Sequence, residues 1–286
     1  MRLAAEFPVT ILSADSRQVY RGFDIGTAKP SPADRAAVPH ELLDIADPAA
    51  RFSAFRWADL AHERILAARH AGRRPVVVGG TGFYVRALFA PGFTEPPMDA
   101  DRRLALQRWL GNRSLPELRR WCSALDPARA HLGRAQLLRA LEMTLLTGER
   151  LSDLHRRAER PARWRPRYLV VDPGPPLGAR IAGRAAAMLD QGWPGEVERL
   201  LATVPDDAPA WNAAGYAAVR ALVRGEATRL ATLERVTVET RQYAKRQRTW
   251  FRHQLGEAPV LRVNPDDPAA WDVVRRWWTT EEGRDA

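Results

Sequence analysis

A carboxylate that could act as a general base follows directly on an apolar run. The run covers residues 9–14 and continues into Asp15-Ser16-Arg17-Gln18. An aspartate at the end of a buried strand can accept a proton or hold a metal-bound water. An aspartate that only closes an Asx-turn or caps a helix has the same local pattern. The segment therefore predicts either a catalytic base or a turn, and its pattern alone leaves both open.

Two glycine-containing segments could bind an anion. Residues 79–82 (Gly-Gly-Thr-Gly) present backbone N–H groups and the Thr81 hydroxyl where an apolar run meets a helical pattern, which suits a phosphate. In residues 24–30, Gly26 allows a tight turn and Lys29 could reach an anion. Glycine-rich turns are common and a loop lysine is ordinarily solvated, so neither segment alone decides for a site.

Arg184 stands out by its position in a helical pattern. The apolar residues Leu177, Ile181 and Met188 recur at helical spacing, and Arg184 is in phase with them. The pattern therefore predicts an inward-facing guanidinium, which is costly to bury without an anionic partner. The partner is either an internal carboxylate or a bound anion, and the planar fork of arginine suits phosphate or diphosphate.

A basic helix is predicted over residues 240–251. Arg241, Lys245, Arg248 and Arg252 share one face at spacings i, i+4, i+7 and i+11, and no acidic partner is evident in the segment. Such a face is usually solvated surface, but it also suits a nucleic-acid backbone. Tyr243 and Trp250 lie seven residues apart on another face.

The composition favours an anionic partner and excludes several classes of protein. The 286 residues carry a formal net charge of +10, which commonly signals nucleic-acid binding. Lys29 and Lys245 are the only lysines, so the arginine excess equally fits a GC-rich coding sequence. One cysteine, Cys122, allows no internal disulfide, and the histidines lack zinc-ligand spacing. Without an 18-residue apolar run or a signal peptide, we expect a cytoplasmic protein with no membrane span.

The elements that position these residues follow from short apolar runs that alternate with helical patterns. The runs cover residues 9–14, 75–78 and 168–171, with a helix over 54–71 that ends at Gly72. This alternation predicts a parallel sheet covered on both faces, with ligands bound beyond the carboxyl ends of its strands. Residues 95–164 lack strand signals and predict a helical insertion. We therefore expect an α/β core of residues 1–94 and 165–286 and a separate domain of residues 95–164.

In this order, the segments resemble the bacterial tRNA dimethylallyltransferase family, also called isopentenyl-diphosphate:tRNA transferases. The resemblance spans roughly residues 2–252 and is carried by the ordered set of segments 13–22, 24–30, 78–84, 139–142, 146–148, 188–192 and 240–251.

The resemblance implies a P-loop NTPase-like fold and a reaction. Such enzymes transfer a dimethylallyl group from dimethylallyl diphosphate to N6 of the adenosine 3′ of the anticodon, after that base leaves its stack. By similarity, Asp15 is the general base, Thr81 assists at the acceptor, and Arg184 holds the diphosphate, which Mg²⁺ bridges. No metal ligands are predicted in the chain itself, and a monomer that binds nucleotide, such as ATP, is expected. The predicted tRNA-binding residues are Asp15, Ser16, Arg17, Gln18, Thr81, Arg103, Gln136, Arg139, Arg241, Lys245 and Arg246.

Two departures from the family pattern stand out. The family carries Asn-Asp-x-x-Arg before the segment at Arg139, whereas residues 132–136 here read Leu-Gly-Arg-Ala-Gln. The family also opens with a strand and a G-x-T-x-x-G-K-[ST] loop, which is absent from this sequence. We therefore expect that Met1 is a misplaced start and that a chain beginning there is poorly stable and nearly inactive. Two alternatives are a non-catalytic tRNA-binding remnant and a prenyltransferase acting on free adenine nucleotides.

Overall fold

The computed structural model describes residues 1–90, 92–93, 95–157 and 162–280. The chain folds into two compact units, one of Met1–Phe89 with Trp164–Ala286 and one of Ala90–Arg163. Within the described residues, no helix is long and apolar enough to cross a bilayer.

The first unit contains all five strands that the described residues form. Its elements are α1 (Arg2–Glu6), β1 (Val9–Ser13), α2 (Pro32–Ala37), β2 (His40–Glu41), α3 (Ala54–His70), β3 (Arg74–Val78), α4 (Gly82–Phe89), and then, after the second unit, β4 (Tyr168–Val171), α9 (Leu177–Asp190), α10 (Trp193–Leu201), α11 (Tyr216–Val223), α12 (Arg229–His253), β5 (Val260–Val263) and α13 (Ala270–Thr279). The predicted helix over 54–71 is confirmed, and Gly72 follows it with φ +69°.

The strands form two parallel sheets, which confirms the predicted strand direction. One sheet has the order β2-β1-β3, and β4 pairs with β5 in the other. The central strand β1 is the most deeply buried of the five. The indole of Trp57 on α3 donates to the carbonyl of Ser13 over 2.9 Å. This bond fixes the carboxyl end of β1, from which the chain continues into Asp15.

A groove of about 1780 Å³ separates β3 from β4, and the residues of both strands line it. Among the described residues, each of these strands pairs with one neighbour only, so each leaves one edge open. Val78 at the end of β3 is 51% exposed and Val171 at the end of β4 is 56% exposed. Strands of a parallel sheet are normally buried. The strand ends at the groove are therefore more exposed than is usual for such strands.

The two open edges run in the same direction. At one end, Gln247 donates to the carbonyl of Gly80 after β3 (3.0 Å), and its neighbour Arg248 pairs with Asp172 after β4 (2.9 Å). At the other end, Arg74 and Arg167 donate to carbonyls of α13. The groove is therefore bounded by two open strand edges of the same direction, with which a further strand could pair.

The second unit is helical. It contains α5 (Ala100–Gly111), α6 (Leu115–Leu125), α7 (Arg134–Thr147) and α8 (Leu151–Arg157). Ser114 caps α6 in a reciprocal capping box with Glu117, and Gly148 ends α7 in the left-handed conformation. Cys122 lies in the core of this unit, where burial raises the pKa of its thiol. Such a buried thiol packs as a small apolar side chain.

Candidate functional site

Asp15 is half-buried at the carboxyl end of β1. Its Oδ1 accepts a hydrogen bond from the backbone N–H of Arg17 over 2.8 Å, so the Asx-type turn is present. Burial nevertheless raises the pKa of the Asp15 carboxyl above its usual value, against the backbone hydrogen bonds from Arg17 and Gln18 and the charges of Arg17 and Arg184. The two alternatives from the sequence are therefore compatible. The turn holds the carboxylate, and desolvation makes it a stronger base.

Thr81 brings the second predicted segment to Asp15. Its Oγ1 accepts from the backbone N–H of Ser16 over 3.0 Å, and its own N–H donates to the carbonyl of Ala14 over 3.2 Å. Gly79 allows this approach, because a Cβ there would lie 2.3 Å from the Ala14 carbonyl oxygen. The residues that follow β1 and β3 thus form one cluster of a carboxylate and two hydroxyls.

Helix α12 packs its inner face on the turn at residues 80–82. A Cβ on Gly80 would meet the side-chain amide of Gln247, and one on Gly82 would meet the Trp250 ring. Tyr243 hydrogen-bonds with Thr81 and Gln247; burial and then the nearby charge of Asp15 raise the pKa of its phenol. Sequence reasoning missed Tyr243 as a site residue. The only signal in the sequence was the seven-residue spacing of Tyr243 and Trp250. This spacing indicated that both lie on one face of the helix, but not that this face contacts Thr81.

Gln18 links the Asp15 segment to the loop at residues 24–30. Its Oε1 accepts from the Ser13 hydroxyl over 2.8 Å, and its Nε2 donates to the carbonyls of Thr27 and Ala28, each over 3.1 Å. Both amide protons are thus used inside the protein. Only the amide oxygen has capacity left for the acceptor base that the resemblance implies.

Lys29 does not reach outward for an anion, and it is not solvated either. Its side chain is 1% exposed and donates to the Tyr20 carbonyl (2.6 Å), Asp24 (2.6 Å) and Asp44 (2.5 Å). A buried ammonium needs such partners because desolvation is otherwise costly. Both sequence interpretations of Lys29 were therefore wrong, since its role is to hold the loop.

Arg184 lies on the exposed side of α9, contrary to the prediction that it faces inward. The buried stripe of α9 is Ile181, Ala185 and Leu189. Ala185, one position further along the helix, occupies the place that the pattern gave to Arg184. The charge of Arg184 nevertheless lowers the pKa of Asp15, so the guanidinium lies on the same side of the unit as the carboxylate.

The basic face of α12 is exposed as predicted, but part of it is already paired. Arg241, Lys245 and Arg246 are exposed. Arg241 donates to the carbonyl of Gly178 over 3.3 Å. Arg248 pairs over 2.9 Å with Asp172, which lies outside the segment and which the sequence did not indicate as its partner. Arg17, also predicted to bind tRNA, donates to the carbonyl of Pro209 over 3.2 Å.

In the second unit, the predicted tRNA-binding arginines form a closed ionic network. Arg103 pairs with Glu142 (2.8 Å) and Glu95 (3.3 Å), and Arg139 pairs with Glu95 (2.7 Å) and Glu142. Gln136 caps α7 by accepting from the N–H of Gly133 over 3.0 Å. An RNA phosphate would have to displace or share these partners.

The described residues contain no group of three or more His, Cys, Asp or Glu side chains placed to hold a metal ion. The oxygen donors at the site are the Asp15 carboxylate and the hydroxyls of Ser16 and Thr81. Mg²⁺ is typically held by one or two carboxylates together with substrate phosphates. This donor set therefore fits Mg²⁺ that arrives with a diphosphate, rather than a site made by the protein alone.

A carboxylate and hydroxyl cluster at the carboxyl edge of a parallel sheet is placed where α/β proteins bind their ligands. The family model described as IPP transferase matches residues 18–254. The chain belongs to this family.

The relatives and solved structures agree with this assignment. The chain is 40% identical to a tRNA dimethylallyltransferase of Thermus thermophilus, with 91% of the chain and 87% of that protein covered. It is 37% identical to one of Deinococcus radiodurans, with 90% and 85% covered. The tRNA isopentenylpyrophosphate transferase of Bacillus halodurans is 30% identical, with a TM-score of 0.66 and 97% and 89% covered. A eukaryotic dimethylallyltransferase acting on tRNA shares the fold, with 22% identity, a TM-score of 0.78, and 96% and 73% covered.

Proposed function

We propose that this protein transfers a dimethylallyl group from dimethylallyl diphosphate to N6 of the adenosine 3′ of the anticodon in tRNA. The observation that carries the proposal is the Asp15 carboxyl, whose pKa burial raises, together with the hydrogen bond from the N–H of the next residue, Ser16, to the Thr81 hydroxyl. Family membership gives this cluster its reaction. The relatives are tRNA dimethylallyltransferases, which favours tRNA over a free nucleotide as the acceptor.

In the proposed reaction, a bond forms between N6 and C1 of the dimethylallyl group while the bond from C1 to the diphosphate oxygen breaks. The diphosphate leaves with the electron pair, and the proton released from N6 passes to Asp15. A base with a raised pKa accepts this proton more readily. Arg184 lies on the same side of the unit as Asp15, where its charge would stabilise the departing diphosphate. Mg²⁺ bound with the diphosphate would neutralise further charge.

The remaining contacts to the diphosphate would be made at the end of the groove between β3 and β4. A strand in the groove would end beside Gly80 and Asp172, at the edge where Asp15 and Thr81 lie. The loop following such a strand would meet the diphosphate there. The phosphate-binding loop that the resemblance implies follows a strand in the same way.

On the RNA side, Arg241, Lys245 and Arg246 offer exposed cations to the phosphate backbone. We propose that Arg103 and Arg139 contribute only where RNA exchanges with Glu95 and Glu142. Action in the cytoplasm and a monomeric state stay predictions from the sequence.

Mass analysis of nucleosides from a digested anticodon stem-loop tests the proposal. With a strand occupying the groove between β3 and β4, the protein should convert the acceptor adenosine to its N6-dimethylallyl form in the presence of dimethylallyl diphosphate and Mg²⁺, whereas the chain with an open groove should convert little. In the protein with the occupied groove, Asp15→Asn should abolish conversion while the RNA still binds. Prenylation of free AMP alone would instead identify a nucleotide prenyltransferase. Stem-loop binding with a steep salt dependence and no conversion would identify a non-catalytic RNA-binding protein.

A further inference from the structure

Phe83 lies in the first turn of α4, two residues after Thr81, and its side chain is 59% exposed. A single exposed apolar side chain is common on proteins. Phe83 differs from such a residue in its position. Its Cα lies at most about 7.6 Å from that of Thr81, because only one residue separates them in the chain. The exposed ring therefore belongs to the surroundings of the acceptor site.

The backbone that carries Phe83 is held on both sides. Gly82 is packed against the Trp250 ring, and the buried Tyr84 stacks on Trp57 with a centroid distance of 4.9 Å and an interplanar angle of 25°. The Phe83 ring packs on Phe55 in a T-shaped arrangement, with the ring centroids 6.3 Å apart and an interplanar angle of 80°. A ring fixed in this way loses little freedom when a ligand stacks on it.

The surface next to Phe55 is cationic as well as aromatic. Arg56 is exposed beside Phe55 in the first turn of α3, and its guanidinium lies 5.1 Å from the centroid of the Phe52 ring. Proteins that bind single-stranded nucleic acid combine cations that follow the backbone with aromatic rings on which bases stack. Phe83 does not line the groove between β3 and β4, so a strand in that groove would leave its ring accessible.

We propose that Phe83 is a stacking platform for a base of the anticodon loop next to the acceptor adenosine. This inference rests on the proposed function, since it takes the RNA to be the ligand of the cluster at Asp15. Stacking on Phe83 would hold the neighbouring base while the acceptor adenosine reaches Asp15. It would add affinity without a further phosphate contact.

Stem-loop affinity, measured over a series of salt concentrations, tests the proposal without requiring turnover. Replacing an aromatic ring that stacks on one base by alanine costs roughly 1–3 kcal/mol, which is about a 5- to 150-fold loss of affinity. Phe83→Ala should show such a loss with an unchanged slope of log K against log salt, because no phosphate contact is removed. Phe83→Trp should bind at least as tightly as wild type. Leu230→Ala, at a position that is 68% exposed on α12, is the matched control and should bind as wild type.

Phe83→Leu separates stacking from apolar contact, because leucine keeps apolar area but has no π-face. It should bind as weakly as Phe83→Ala, and wild-type affinity for Phe83→Leu would overturn stacking. Wild-type affinity for Phe83→Ala would overturn the inference alone. Absence of stem-loop binding by the wild-type chain would overturn the proposed function and this inference with it.

Discussion

Replacing Glu196 should destabilise the first unit strongly, because its buried carboxylate holds the loop at residues 24–28. One carboxylate oxygen accepts from the backbone N–H groups of Asp24 (2.9 Å) and Ile25 (2.6 Å). The other accepts from the Tyr216 hydroxyl (2.6 Å) and, over 3.4 Å, from the N–H of Gly26. The side chain is on α10 and is buried. The carboxylate raises the pKa of the Tyr216 phenol in addition to the effect of burial, which keeps that hydroxyl protonated as a donor.

The magnitude follows from the donors that lose their acceptor. Each buried donor left without a partner costs roughly 1–3 kcal/mol. For Glu196→Ala, the four donors together give a loss of about 3–6 kcal/mol. The sum is below four full penalties because the three loop N–H groups are only partly buried and the Tyr216 hydroxyl can turn to another acceptor. Glu196→Gln keeps one acceptor oxygen and should cost less, about 1.5–3 kcal/mol, since it loses a charge-assisted bond. Glu198 is exposed on the same helix, and Glu198→Ala should change stability by less than about 0.5 kcal/mol.

Urea denaturation followed by tryptophan fluorescence measures these differences, because Trp193 and Trp211 lie in the same core as the loop. The free energy of unfolding should decrease in the order Glu198→Ala, Glu196→Gln, Glu196→Ala. The loop also holds the amide of Gln18, so stem-loop affinity should decrease in the same order at low denaturant. Glu196→Ala within about 1 kcal/mol of Glu198→Ala would refute the reasoning, since one buried and three partly buried donors cannot all lose their acceptor at so small a cost.

Three further predictions concern the site and its approach. Asp15→Asn should abolish transfer yet raise the melting temperature at pH 7. The pKa of Asp15 is higher in the folded state, so ionisation of the carboxyl lowers the stability of the wild type as pH rises through the folded-state pKa. The gain from Asn should therefore vanish in acid. A lower melting temperature of the variant at pH 7 would contradict this. Gly79→Ala should unfold the site or shift β3, because the new Cβ would meet the Ala14 carbonyl at 2.3 Å. Gly183→Ala, inside α9 with no atom within 4 Å of the added Cβ, should instead gain about 0.5–1 kcal/mol, and calorimetry that ranks the two alike would contradict the packing argument. Arg241→Ala should weaken stem-loop binding and reduce the salt slope by about one, whereas Arg235→Ala, whose partner is Glu239 at 3.0 Å, should leave the slope unchanged.

The sequence predicted the strands that contain an apolar run of at least three residues or that alternate little, and it missed the strands that lack one. β1, β3 and β4 are nearly continuous apolar runs, and their parallel pairing is confirmed. β5 carries Arg262 in the middle of a four-residue strand, and β2 is only two residues long. Their patterns are too short or too polar for local sequence to distinguish them from loops. They become strands because β1 and β4 offer them a partner.

The site was predictable where a residue follows a strand, and less so where it depends on a helix phase or a distant partner. Asp15 and Thr81 meet because the carboxyl ends of paired parallel strands share one edge. The sequence placed Arg184 on the wrong face of α9. The apolar residues of this helix fit two inward-facing stripes that differ by one position, and the structure buries the one that contains Ala185. Lys29 is buried by Asp44, which lies 15 residues away and could not be recognised as its partner from sequence spacing.

The groove connects the stability of the first unit with its chemistry. Two parallel edges that are lined by valine and leucine and left open are unfavourable, since unpaired edges of this kind readily pair with another strand. A strand between β3 and β4 would bury Val78 and Val171, which are now half-exposed, and would join the two sheets into one. Because its end would lie at the edge that holds Asp15 and Thr81, the same strand would carry its following loop to the diphosphate. Occupancy of the groove should therefore change stability and transfer together. Stem-loop affinity should change little, because we propose that it depends on the exposed face of α12 and on Phe83.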